Sequence, residues 1–220
     1  MRELSLLEAR VLAVLVEKAH TVPDSYPLSL NSLVLGCNQK TARDPVINAT
    51  DAEVQVAVDA LKSLSLAFES SGSRVSRYEH NMGRAMALPS QSVALLAALM
   101  LRGAQTASEL RANCERLHRF ADLSSVEGFL EELSARPAGK GGPLALKLAR
   151  APGSREARWT HLLCGAPVPG AARETTPTDD LLPISELAAL KANHAALHGE
   201  VAELRRSVER LYRELGIARD

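Results

Sequence analysis

Apolar residues fall into helical runs separated by capping signals, and the order of those runs repeats. Ser5-Leu6-Leu7-Glu8 has the spacing of a capping box, in which the hydroxyl satisfies a free amide and the carboxylate reaches back to another. Leu7, Val11, Val14, Leu15 and Lys18 follow at helical spacing, which predicts a first helix ending near Val22-Pro23. A second helix is predicted from about Ser29, with Leu30, Leu33 and Val34 on one face and a stop near Gly36. The polar loop CNQKTARDPVINAT follows. Pro45 forbids an uninterrupted helix there, because it lacks an amide donor and biases Asp44 away from helical geometry. Thr50-Asp51-Ala52-Glu53 is a second capping box, and it opens a helix with Val54, Ala57, Val58, Leu61 and Leu64 inward. Leu66-Ala67-Phe68 then starts a hairpin that turns at Gly72.

The same events recur downstream. Val93 to Leu101 is an apolar helix broken at Gly103, Thr106-Ala107-Ser108-Glu109 caps the next, and Ser124-Ser125-Val126-Glu127 caps a third with Val126, Phe129, Leu130 and Leu133 inward. Residues 137–143 form a loop and 144–150 a strand. The turn segments match residue by residue: 72–80 read GSRVSRYEH and 153–161 read GSREARWTH, with Tyr78 answered by Trp159. Two copies this similar indicate a duplicated module. Three helices followed by a Gly-Ser hairpin is the pattern of a winged helix. The expected fold is therefore α+β and mostly helical, with two tandem winged-helix domains followed by a coiled-coil helix. The expected boundaries are domain 1 at 1–86, domain 2 at 87–164, a proline-rich linker at 165–183 and the coiled coil at 184–217.

The last segment carries its own register. Leu187, His194, Val201, Val208 and Leu215 take the a positions, and Leu190, Leu197, Leu204 and Leu211 the d positions. Leucine at every d with valine at two a positions favours a two-stranded parallel coil, so a homodimer is expected. A helix folding back on its own domains is the alternative.

Charge narrows the functional classes. The chain of 220 residues carries 26 Lys/Arg and 26 Asp/Glu, so it has no global bias toward nucleic acid or acidic membranes. Residues 87–168 are the most basic segment, with ten cations against seven acids, so any basic surface must come from local clustering. Three cysteines without a CxxC pair support neither a disulfide framework nor a closed zinc site, and no cofactor is expected. The charged N-terminus and short apolar runs predict a cytoplasmic protein.

The runs EARVLAVLVEK, TVPDSYPLSLNSLVLGCNQKTARDPV, DAEVQVAVDALKSL and SRVSRYEHN resemble the bacterial YceH family. The resemblance covers residues 4–82 and extends more loosely over the second module. It implies tandem winged-helix domains in a functionally uncharacterised family, and it carries over no catalytic residues.

Three candidate chemistries remain. Winged helices often set the third helix in the major groove and an arginine-bearing wing on the backbone, so Arg74, Arg77, Arg155 and Arg158 are candidate nucleic-acid contacts. Lys40 and Arg43 could add phosphate contacts to duplex DNA. Against this, the third helices show Glu53, Gln55, Asp59, Lys62 and Ser63 in the first copy and Glu127, Glu131, Glu132 and Arg136 in the second. Acidic faces meet phosphate repulsion, so the expected function is a regulator-like nucleic-acid-binding protein in which wing and loop dominate with weak sequence preference, and a protein-interaction scaffold is the alternative. The NQKTARDPV loop is a brace or a binding loop. Cys37 with His80 or His161 is the remaining catalytic candidate, but sequence shows no adjacency between them, and a non-enzymatic protein is expected.

Overall fold

The computed structural model describes residues 2–70, 75–150 and 154–167. Arg74, the linker beyond Pro167 and every self-association position from Leu187 to Leu215 lie outside the described residues.

Ser5 accepts the Glu8 amide at 3.1 Å and Glu8 accepts the Ser5 amide at 2.8 Å, which starts helix α1 at Leu6–Thr21 as the sequence predicts. The burial of α1 differs from the predicted single stripe. Every residue from Glu8 to Val16 is buried, because α1 packs against elements on more than one side. A single 3₁₀ turn at Pro23–Ser25 leads to strand β1 at Leu28–Ser29 and helix α2 at Leu30–Cys37. Helix α3 follows at Asp51–Ser63, then strands β2 at Ala67–Ser70 and β3 at Arg77–His80. A Cβ on Gly36 would meet Val14 Cγ1 at 2.6 Å, so only glycine lets α2 approach α1 this closely.

The second copy repeats this order after a short helix, α4, at Met82–Ala85. Helix α5 runs Ser90–Arg102 and ends at Gly103, whose φ of 76° suits glycine. Strand β4 at Gln105–Thr106 and helix α6 at Ala107–Asn113 follow, then helix α7 at Leu123–Ser134. A 3₁₀ turn at Ala138–Lys140 precedes strands β5 at Ala145–Lys147 and β6 at Arg158–His161.

Both sheets are three-stranded and antiparallel, in the orders β1-β3-β2 and β4-β6-β5. Their registers agree: Leu28 and Gln105 face Tyr78 and Trp159, while Ala67 and Ala145 face His80 and His161. The duplication therefore holds at the level of single paired residues.

Three local expectations are corrected. The cap of α7 is Asp122, two residues before the predicted Ser124, because its carboxylate accepts the Ser125 amide at 2.7 Å and both serine hydroxyls. Strand β5 is shorter than the predicted 144–150. Strands β1 and β4 add a third strand to each hairpin; at two residues each, they are too short for a period-two signal.

The two copies do not have separate cores. One contiguous apolar cluster runs from Leu4 to Leu163, with α1 packed on α5 at its centre. Backbone bonds cross between the copies: the Leu4 amide donates to the Leu163 carbonyl and the Asp44 amide to the Leu101 carbonyl, both at 2.7 Å. No helix among the described residues is long and apolar enough to cross a membrane.

Candidate functional site

The wings are built from strands, and strand geometry decides what their arginines do. Arg77 begins β3, opposite Ser29, and its guanidinium donates to the Pro27 carbonyl at 2.9 Å. Arg158 begins β6, opposite Thr106, and donates to the Ala104 carbonyl at 3.3 Å. The same brace thus occurs in both copies, tying the return strand to the residue before the short third strand. Arg158 also lies 3.6 Å from the Glu109 carboxylate. Arg155 and Lys40 are exposed.

Arg43 leaves the set of phosphate-contact candidates. Its side chain is 0% exposed and paired with Glu17 at 2.6 Å. It donates further to the carbonyls of Gly36 and Ala42 and to Gln39. The loop of residues 38–50 closes around it. Asn38 donates to the Ala49 carbonyl at 2.8 Å and accepts the Ala49 amide at 2.7 Å, and Arg10 reaches the carbonyls of Cys37 and Pro45. Burial would raise the Glu17 carboxyl, but the hydrogen bonds and charge of Arg43 outweigh it and hold the group below its ordinary range. This loop is a brace between α2 and α3.

The outward face of α3 is exposed but chemically occupied. Tyr78 donates its hydroxyl to Gln55 at 3.1 Å, Gln55 donates to Asp59 at 3.1 Å, and Lys62 bridges Asp59 and Glu69. Glu53 is engaged in the capping box with Thr50. The two side chains that could donate to base edges, Gln55 and Lys62, therefore already hold partners within the module. Val56, at 69% exposure, stands in the middle of this acidic face. On α7, Glu127, Glu131 and Glu132 are exposed in turn.

The Cys–His candidates do not assemble. Cys37 is fully buried, and burial pushes its thiol up to about 12, so almost no thiolate exists at neutral pH. His80 and His161 lie beside the buried Tyr78 and Trp159, and burial pushes both imidazoles down to about 4. In each, Nδ1 is buried without a hydrogen-bond partner among the described residues. The two histidines are therefore neutral groups on the inner side of each wing, though not the fully satisfied core groups that their position suggests. No cluster of metal-ligating side chains occurs among the described residues.

With this geometry established, the comparisons with known proteins give the family. A family profile described as "Protein of unknown function, DUF480" matches residues 4–154. The chain belongs to the DUF480 family. A UPF0502 protein of Methylibium petroleiphilum is 62% identical over 218 residues, covering 99% of this chain and 92% of that protein. A UPF0502 protein of Leptothrix cholodnii is 60% identical over 227 residues, covering 100% and 98%. Another, of Burkholderia pseudomallei, is 59% identical over 217 residues, covering 99% and 91%. At the level of an uncharacterised bacterial family, the resemblance drawn from residues 4–82 agrees with these matches.

Sequence reasoning missed two groups of residues in this DUF480 chain. Glu17 and Arg10 were not singled out, and only their burial and bonds reveal that they anchor the loop. Arg111, Arg116 and Arg119, with the run RANCERLHRF around them, went unremarked; all three are exposed, and the local density of arginine was the available signal.

Proposed function

We propose that this DUF480 chain is a non-enzymatic scaffold of two winged-helix modules that docks a protein partner on the outward face of α3. The winged-helix reading rests on the order α1-β1-α2-α3-β2-β3, with the return strand central in its sheet, and on its recurrence from α5 to β6. The observation that carries the partner is Val56, an exposed apolar side chain flanked at helical spacing by Glu53 and Asp59. Phosphate is repelled by such a face, whereas a protein segment with basic residues around an apolar side chain complements it. The buried, protonated Cys37 and the neutral histidines support a non-enzymatic role. We further propose that residues 187–215 pair two copies, on the strength of their heptads.

Affinity capture with the full chain tests the docking face. Val56→Asp and the pair Glu53→Lys with Asp59→Lys should each abolish a stoichiometric protein partner, while Lys40→Ala with Arg155→Ala retains it. The opposite pattern, with nucleic acid as the captured species, would contradict the proposal.

The second reading is a nucleic-acid-binding regulator. The observation favouring it is the exposed cations of the second module: Arg111, Arg116, Arg119 and Arg155. Lys40, Arg77, Arg155 and Arg158 are then the contact residues, the braces of Arg77 and Arg158 leaving further guanidinium donors free, while Arg74 lies outside the described residues.

A further inference from the structure

The second module carries a half-open cavity beside its second helix. Ser108, Arg111, Ala112 and Glu115 on one side and Arg119 and Phe120 on the other enclose about 250 Å³. Phe120, 5% exposed, gives the cavity only a small apolar face, its ring fixed edge-on against His118 at 4.8 Å and Phe129 at 6.2 Å. Arg111 is oriented by its bond to the Ala121 carbonyl at 3.1 Å. Ser108 donates to the Glu156 carboxylate at 3.1 Å, which brings Glu156 to the cavity rim. Two guanidiniums thus line the space with one carboxylate, Glu115, and a second, Glu156, stands at the rim.

The first module shows that the fold does not require this arrangement. Three residues before its equivalent cysteine, on the matching helix, stands Val34 in place of Arg111. The longer loop of residues 38–50 turns its Arg43 inward and is closed by Asn38 and Ala49. Arg111 is therefore an addition to the fold.

We propose that this cavity binds a small organic oxyanion, a carboxylate or a phosphate ester, whose charged group is held by Arg111 and Arg119 and whose flat or apolar part rests on Phe120. Guanidinium forks suit planar and tetrahedral oxyanions. The cavity lies a little below the roughly 300–1,000 Å³ of drug-sized sites, which limits the ligand to a small one. The proposal is independent of the docking face on α3, and failure of either leaves the other standing.

Titration calorimetry of the full chain with phenyl phosphate, inorganic phosphate and a short DNA duplex at one salt concentration tests it. Phenyl phosphate should bind, and inorganic phosphate about threefold more weakly, because it leaves the small apolar face uncovered. Arg119→Gln should weaken phenyl phosphate about tenfold or more, the loss of one charge-assisted bond, while leaving the unliganded melting temperature unchanged. Arg111→Gln should do the same, and Arg119 keeps the test valid if the Arg111 variant loosens the loop. Absence of phenyl phosphate binding at about 10 mM, or binding indifferent to Arg119→Gln, overturns the proposal. Duplex binding that depends on Arg119 without any for phenyl phosphate also overturns it, and assigns the arginines to a nucleic-acid backbone instead.

Discussion

The two modules share strand order, register and wing braces, yet they fill the space between second and third helices by opposite means. In the first, Arg43 turns inward to Glu17 and the loop folds onto itself through Asn38 and Ala49. In the second, the shorter loop of residues 115–121 carries the buried Phe120, which packs on Phe129. One loop is thus anchored by a buried ion pair and the other by an aromatic cluster. The ionic solution carries a desolvation cost and tolerates only the partner it has. The aromatic solution is indifferent to charge, which leaves arginines free to line an open cavity. The comparison separates what the frame requires from what each module adds.

The sharpest way to break the comparison is to exchange the solutions. Arg43→Ala should cost about 3 kcal/mol, since it leaves the largely buried Glu17 with only Lys18, 3.4 Å away, as a partner. Phe120→Ala should cost about 3–5 kcal/mol by cavity formation, a different cause of similar size. The two differ on repair. Arg43→Met combined with Glu17→Leu should recover most of the Arg43 loss, because apolar replacement of both partners of a buried pair is often neutral. Denaturant unfolding measures all three. A double variant no more stable than Arg43→Ala would mean that the loop carbonyls, rather than the ion pair, are what Arg43 serves.

A smaller effect is shared by both modules. His80 and His161 have folded pKa values of about 4, below the ordinary imidazole value near 6.5. Their folded pKa is depressed, so their contribution is fully present above about pH 6.5 and is lost as pH falls toward 4, where the unfolded chain binds the extra protons. Each histidine should account for at most about 3 kcal/mol of that loss. Replacing both by Asn should flatten the stability profile between those pH values. A profile that stays equally steep would place the titration elsewhere, with Glu17 contributing only at lower pH because its own pKa is lowered.

The frame itself was largely legible in the sequence, because it is written in short-range signals. The capping boxes at Ser5, Thr50 and Thr106 form as their spacing dictates, and the paired GSR segments lead into β3 and β6. What was not legible depends on distant neighbours. The burial of α1 beyond one stripe follows from α5, some 80 residues away, which no local periodicity records. Arg43 reads like a surface cation until Glu17 is seen beside it, and Arg77 reads like a wing contact until Pro27 is seen to accept its bond. Charged side chains were thus the least legible residues, since charge alone does not say whether the partner is inside or outside the chain.

The smallest expected effect concerns those wing braces. Arg77→Ala and Arg158→Ala should each cost under about 1.5 kcal/mol, as single, partly exposed hydrogen bonds do. A thermal shift of more than several degrees from either would show that the short third strand depends on it, and would make the braces a main support of each module.

The central claim is that Arg43, Arg77 and Arg158 serve the fold, and that the acidic face of α3 is the docking face we propose. Its most direct test is the binding of the full chain to duplex DNA, measured across salt from about 50 to 200 mM, where each phosphate contact contributes a slope of roughly −0.9 in log affinity against log salt. The account predicts no binding whose slope falls when Arg77 and Arg158 are changed to Ala. A steep slope that flattens by about one unit per arginine removed would contradict it and would return the wings to nucleic acid.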